Sequence, residues 1–129
     1  MSENDERLWA ALAHASFLLN FMTGLLGVAA PLVIYLVYKD RSRYVAFQSM
    51  QAFIFQLIGW VGAGIVIGAA WAMSGVLAAF IIGILCIPFA ILISLIPLGA
   101  AIYAVVGAIQ CYNGKDFRYW LVANWVRVE

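Results

Sequence analysis

Two long stretches without a single formal charge, Leu8 to Tyr38 and Tyr44 to Gly114, constrain this chain more than any other feature. Each exceeds the roughly 20 apolar residues that one helix needs to cross a hydrocarbon core of about 30 Å. Such runs cannot be loops, and a water-soluble fold could not hide them. Composition agrees: 67% of the residues are hydrophobic and 10% charged, against about a quarter charged in a soluble domain. The expected fold class is all-α, a polytopic transmembrane bundle of three to four helices with kinked long helices and an interfacial C-terminal tail. At 129 residues it is expected to form one membrane domain.

The charges punctuate the apolar blocks in three short stretches. The first, Glu3 to Arg7, is mostly acidic; a cleavable signal peptide would begin with basic residues, so this end is expected to be retained. Ser2 and the carboxylates after it suit the start of a helix near Glu6. As one straight helix, Leu8 to Tyr38 would run about 46 Å, too long for a single span. Asn20, Thr23 and Gly24 mark a weak point. The preferred reading of residues 6–38 is therefore two short helices, Glu6 to Leu19 and Gly24 to Tyr38, over one helix kinked near Pro31.

Residues 39–43 form a charged loop, followed by a hairpin of two long helices, 44–73 and 76–111, with its turn at Ser74-Gly75. Pro88 and Pro97 offer kinks in the second arm. Residues 112–129 mix aromatics with charges and are expected to lie on the membrane surface. Lys39, Arg41, Arg43, Lys115 and Arg118 are candidate membrane-surface residues. Short loops rich in Lys and Arg stay cytoplasmic, which places both the 39–43 loop and the tail on that side. Trp9, Trp120 and Trp125 suit the cytoplasmic aromatic belt and Trp71 the opposite one, while Trp60 falls mid-helix and suits protein packing.

The polar exceptions inside the apolar blocks are the candidate functional residues. His14 is the only histidine, and an intramembrane ionisable group is a functional hypothesis by default. It suits a haem, a pigment or a proton relay, but one hydrogen bond to a neighbouring helix is the simpler reading. Gln48, Gln51 and Gln56 either line a polar path or bond across helices; Asn113 is a further polar candidate. Gly64 and Gly68 form a GxxxG, which favours close helix packing, expected within the chain against Gly83 or Gly99. Cys86 and Cys111 are too far apart along a continuous helix for a disulfide. No catalytic triad, carboxylate pair, metal-ligand set or phosphate loop can be assembled. The chain is therefore expected to be no enzyme and to carry no cofactor or metal. A net charge of +1 without a clustered basic face gives no footprint for nucleic acid.

The segments RLWAALAHAS, PLVIYLVYKDRSRYVAFQSMQAF and AIQCYNGKDFRY resemble the Tic-twenty-like small bacterial membrane proteins, related to a subunit of the chloroplast inner-envelope translocon. The likeness rests on Ala13-His14, on Lys39-Asp40 followed by Phe47 and Gln51-Ala52, and on Asn113-Gly114. Tyr119-Trp120 departs from that family's tyrosine-proline ending. The resemblance implies three or four spans in a bacterial inner membrane and hints at translocation. The expected function is a non-enzymatic accessory, assembly or translocon-like subunit, with the lipid bilayer and other membrane subunits, or itself, as partners. The alternatives are a small channel or carrier through His14, Gln48, Gln51 and Gln56, and a pigment- or haem-binding subunit through His14.

Overall fold

A computed structural model describes residues 2–120 and 122–126, with only the backbone at 81–83. Among these residues the chain is all-helical. Two helical stretches, Arg43–Leu77 and Ile84–Tyr112, are long and apolar enough to cross a membrane by length and composition.

Helix α1 spans Glu3–Ala15, where the Ser2 hydroxyl accepts from the Asp5 amide at 3.2 Å and Glu3, Asp5 and Glu6 load the first turn with negative charge. That placement satisfies an orphan amide and complements the helix dipole. A 3₁₀ turn, Ser16–Leu18, leads into α2, Leu19–Thr23. Gly24 then adopts φ 92°, a conformation glycine reaches without strain, and the chain reverses. Helix α3, Leu26–Tyr38, follows, so the first block is two helical runs meeting at Gly24.

Pro31 inside α3 has no N–H to offer the Gly27 carbonyl four residues back. The Ser16 hydroxyl lies 3.1 Å from that carbonyl and 2.7 Å from the Ala13 carbonyl. It supplies a polar partner where helix geometry removes one.

Ser42 caps α4, Arg43–Gln56, by accepting from the Val45 amide at 3.1 Å. The helix widens into a π segment, Leu57–Gly62, and continues as α5, Ala63–Leu77. Helices α6, Ile81–Ser94, and α7, Ile96–Tyr112, return the chain, with a break at Leu95 just before Pro97. A short α8, Val122–Trp125, completes the described elements.

Helix α1 packs on α4 and α7, and α3 packs on α4, so these four make a compact body. Helices α5 and α6 pair chiefly with each other as an arm extending beyond it. The body closes around small residues, Ala10, Ala13, Ala46, Ala52 and Ala104, all at most 1% exposed, which lets backbones approach closely. Phe17, fully buried, fills the space beneath the π segment against Phe55 and edge-on to Trp60. Trp60 also donates its indole N–H to the Gly24 carbonyl and so ties the first turn to the long helix.

Three expectations are corrected. The hairpin turn is not at Ser74-Gly75: Ser74 bonds back to the Ala70 carbonyl at 2.8 Å inside α5, and the reversal comes at Ala78 to Phe80. Gly64 and Gly68 do not dock within the chain, because a Cβ added at either, or at Gly99, would meet nothing within 4 Å. The arm instead turns Trp71 toward α6, where its indole bonds Ser94 at 2.8 Å. Gly83, the other expected contact, lies outside the described side chains. Finally, the C-terminal segment does not rest on a surface apart from the helices. Phe117, Tyr119, Val122, Ala123 and Val126 are all buried; residues 121 and 127–129 lie outside the described set.

Candidate functional site

The polar residues of the apolar blocks gather inside the four-helix body in two adjoining clusters. His14 on α1, Gln48 and Gln51 on α4, and the tail from Asp116 to Tyr119 make the first. All three helical side chains are 0% exposed.

The orientation of Gln48 organises this cluster. Its amide nitrogen donates to the Phe117 carbonyl at 2.9 Å and to an Asp116 carboxylate oxygen at 3.1 Å. Its oxygen therefore faces His14 Nε2 at 2.9 Å and the Gln51 amide nitrogen at 3.2 Å. An amide oxygen only accepts, so His14 carries its proton on Nε2 and leaves Nδ1 as an acceptor. The Tyr119 hydroxyl lies 2.9 Å from Nδ1 and donates to it. Burial pushes that hydroxyl well above the ordinary tyrosine range, which keeps it protonated.

Gln51 completes the closure by donating to the Phe117 carbonyl at 3.0 Å and accepting from the Tyr119 amide. A tail with no regular hydrogen-bond ladder thus has its buried backbone groups satisfied by two glutamine side chains. Tyr119 stacks on Phe55 with ring centroids 3.9 Å apart and planes 5° from parallel. Gly107 on α7 admits Phe117: a Cβ there would come within 2.6 Å of the Phe117 ring.

The second cluster joins Gln56, Asn20 and Ser16. Gln56 accepts from the Asn20 amide at 3.0 Å and donates to the Ser16 hydroxyl at 3.0 Å. Asn20 in turn accepts from the Val28 amide at 3.1 Å. It caps the start of α3, which lacks a capping side chain of its own.

Of the sequence candidates, then, His14, Gln48 and Gln51 come together and Gln56 stands in the adjoining cluster. Asn113 caps the end of α7 and is exposed. Lys39, Arg41, Arg43, Lys115 and Arg118 are exposed at the same end as the two loops. Arg118 pairs with Asp116 at 3.2 Å and sits over the Phe47 ring. Sequence reasoning missed Asn20, read as a turn-former, and Tyr119, read as part of an aromatic surface segment. Their only signal was polarity within or beside an apolar run.

Chemically, the clusters are closed. His14 has both ring nitrogens engaged, so neither is free to ligate a haem or chlorophyll, which corrects the pigment-binding alternative. At 0–1% exposure, His14 and the three glutamines meet no solvent, and their amides bond protein rather than line a path. Among the described residues, no group of three His, Cys, Asp or Glu gathers to hold a metal ion.

Replacing Tyr119 by Phe keeps the ring stacked and removes only the donor to His14. It is expected to lower stability by about 1 kcal/mol, the usual net worth of one hydrogen bond. Denaturant unfolding in detergent would measure it, and an unchanged midpoint would contradict the assigned bond.

Comparison with known proteins adds one finding. The model of the MamF/MmsF magnetosome magnetite crystal formation protein family matches residues 5–126. This overturns the Tic-twenty-like resemblance, whose landmarks are a charged turn and an Asn-Gly near an aromatic end. No curated protein and no solved structure matches the chain.

Proposed function

Because the chain belongs to the MamF/MmsF magnetosome magnetite crystal formation family, we propose that it is a non-enzymatic membrane accessory protein of that process. It would sit in a bacterial membrane as a multi-pass bundle, with the 39–43 loop and the tail cytoplasmic, and act by packing against other membrane proteins or itself.

The observation that carries this reading is the α5–α6 arm. Ile65, Val76, Leu85, Phe89 and Leu92 are each 63–72% exposed, far more contiguous apolar surface than a soluble monomer leaves in water. The polar groups meanwhile face one another inside the body, where they fasten the fold and leave no chemistry to the outside. This favours an accessory role over a channel, since a polar path needs side chains that water can reach.

The test is complementation. Produced in a magnetite-forming bacterium deprived of its own members of this family, the chain is expected to restore crystal dimensions seen by electron microscopy. Protein that reaches the membrane fraction at normal abundance yet leaves the crystals unchanged would overturn the proposal.

A further inference from the structure

A second feature lies outside the buried clusters, on the outer face of the body. Helices α1 and α7 leave between them an open groove of about 350 Å³. Its floor is made by Ala11, Ala15 and Ala108, and its walls by Leu12, Leu18 and Ile109. Those wall residues are 43%, 47% and 57% exposed, so side chains stand up around a floor of methyl groups. From Leu8 on α1 to Leu18 at the end of the following 3₁₀ turn the groove spans ten residues, about 16 Å. That is half of a hydrocarbon core of about 30 Å, the depth of one leaflet.

The groove changes character at one end. Leu8 and Tyr112 line it, and they also line an adjoining cavity of about 470 Å³ with Asn4, Asp5 and Arg7. An apolar slot one leaflet deep therefore opens, at the charged end of the body, into a chamber holding a carboxylate and a guanidinium. Of the residues lining this chamber, Asp5 and Arg7 carry one charge of each sign. Arg7 pairs with Glu3, while its buried Nε has no protein partner. One carboxylate beside one guanidinium matches a headgroup that carries both a cation and an anion.

We propose that this groove binds one phospholipid with a zwitterionic, ammonium-bearing headgroup, phosphatidylethanolamine in chemistry. An acyl chain lies along Ala11, Ala15 and Ala108, the phosphate accepts from Arg7, and the ammonium donates to Asp5. A guanidinium suits phosphate oxygens, and an ammonium N–H can bond a carboxylate where a choline headgroup cannot. The site rests on the membrane placement proposed above.

Native mass spectrometry of the full chain in detergent, offered equal amounts of phosphatidylethanolamine, phosphatidylglycerol and phosphatidylcholine with identical chains, tests it. The expected result is one retained phosphatidylethanolamine, favoured by about two- to fivefold, the range of a solvent-accessible ion pair. Asp5→Asn, a surface change, should erase that preference while one lipid is still held. Ala15→Phe or Ala108→Phe should fill the groove and remove retention of all three at an unchanged melting temperature. Equal retention of the three headgroups by the unaltered protein, or full retention by both groove-filled variants, would overturn the site. A chain that stays soluble without detergent and does not float with vesicles would overturn the membrane placement itself.

Discussion

Gly27→Ala is expected to be among the most damaging single-methyl changes in this protein, lowering stability by about 3 kcal/mol or more, at the upper end of overpacking costs. A Cβ at Gly27 would stand 2.2 Å from the Ser16 carbonyl oxygen and 2.7 Å from Asn20 Oδ1. The first obstacle is backbone and cannot swing aside. The second is the side chain that caps α3 and bonds Gln56, so relief by moving Asn20 would strip the second polar cluster of its partners. Against this, alanine gains up to about 1 kcal/mol over glycine within a helix. The clash wins because it acts on two buried groups at once. Gly68→Ala supplies the matched control: nothing lies within 4 Å of the added methyl, so only the propensity gain remains and stability should hold or rise slightly. Thermal unfolding in detergent would read both, with Gly27→Ala down by about 10 °C. Equal midpoints for the two variants would contradict the close approach of α3 to the first turn.

Gln48→Ala is expected to release the tail. It deletes bonds to His14, Gln51, Asp116 and the Phe117 carbonyl together, and leaves the His14 N–H buried without an acceptor. Leaving one such group unpaired costs about 1–3 kcal/mol. At about 2 kcal/mol, opening of residues 115–120 becomes roughly thirtyfold more frequent. Hydrogen exchange at the Tyr119 amide and trypsin cleavage after Lys115 or Arg118 would both report it. Pairing His14→Leu with Gln48→Leu removes donor and acceptor together, and its cost should fall short of the sum of the two single changes. Strict additivity, or a tail no more accessible in Gln48→Ala, would show that the amide network does not hold it.

Parts of this arrangement were legible in the residues. The break at Gly24 follows from a turn-former and a glycine in an over-long apolar run, and the structure places a positive φ there. The helical start beside Ser2 follows from capping chemistry, which is local to a few residues. Polarity within the apolar blocks pointed to His14 and the glutamines. What it could not indicate was their partners: Gln48 and Phe117 stand 69 positions apart, and His14 and Tyr119 stand 105 apart. The sequence placed the tail on the surface because aromatics mixed with charges have the composition of an interfacial segment. That composition serves equally for a strap whose Phe117 and Tyr119 turn inward while Arg118 and Trp120 stay out.

The two uncharged blocks by themselves pointed to helices, which the described residues form; the sequence suggested three to four spans, whereas the two helical runs long enough to cross a bilayer, Arg43–Leu77 and Ile84–Tyr112, both come from the second block. Those outcomes depend on local capping, on length and on the transfer of apolar side chains, which act wherever the chain goes. Only tertiary structure decided that the glutamines close on a returning tail rather than line a channel, and that Gly27 and Gly107 are intolerant where Gly64 and Gly68 are not. Both depend on which surfaces meet, and the meeting is set by contacts distant in sequence whose energies a linear pattern does not carry.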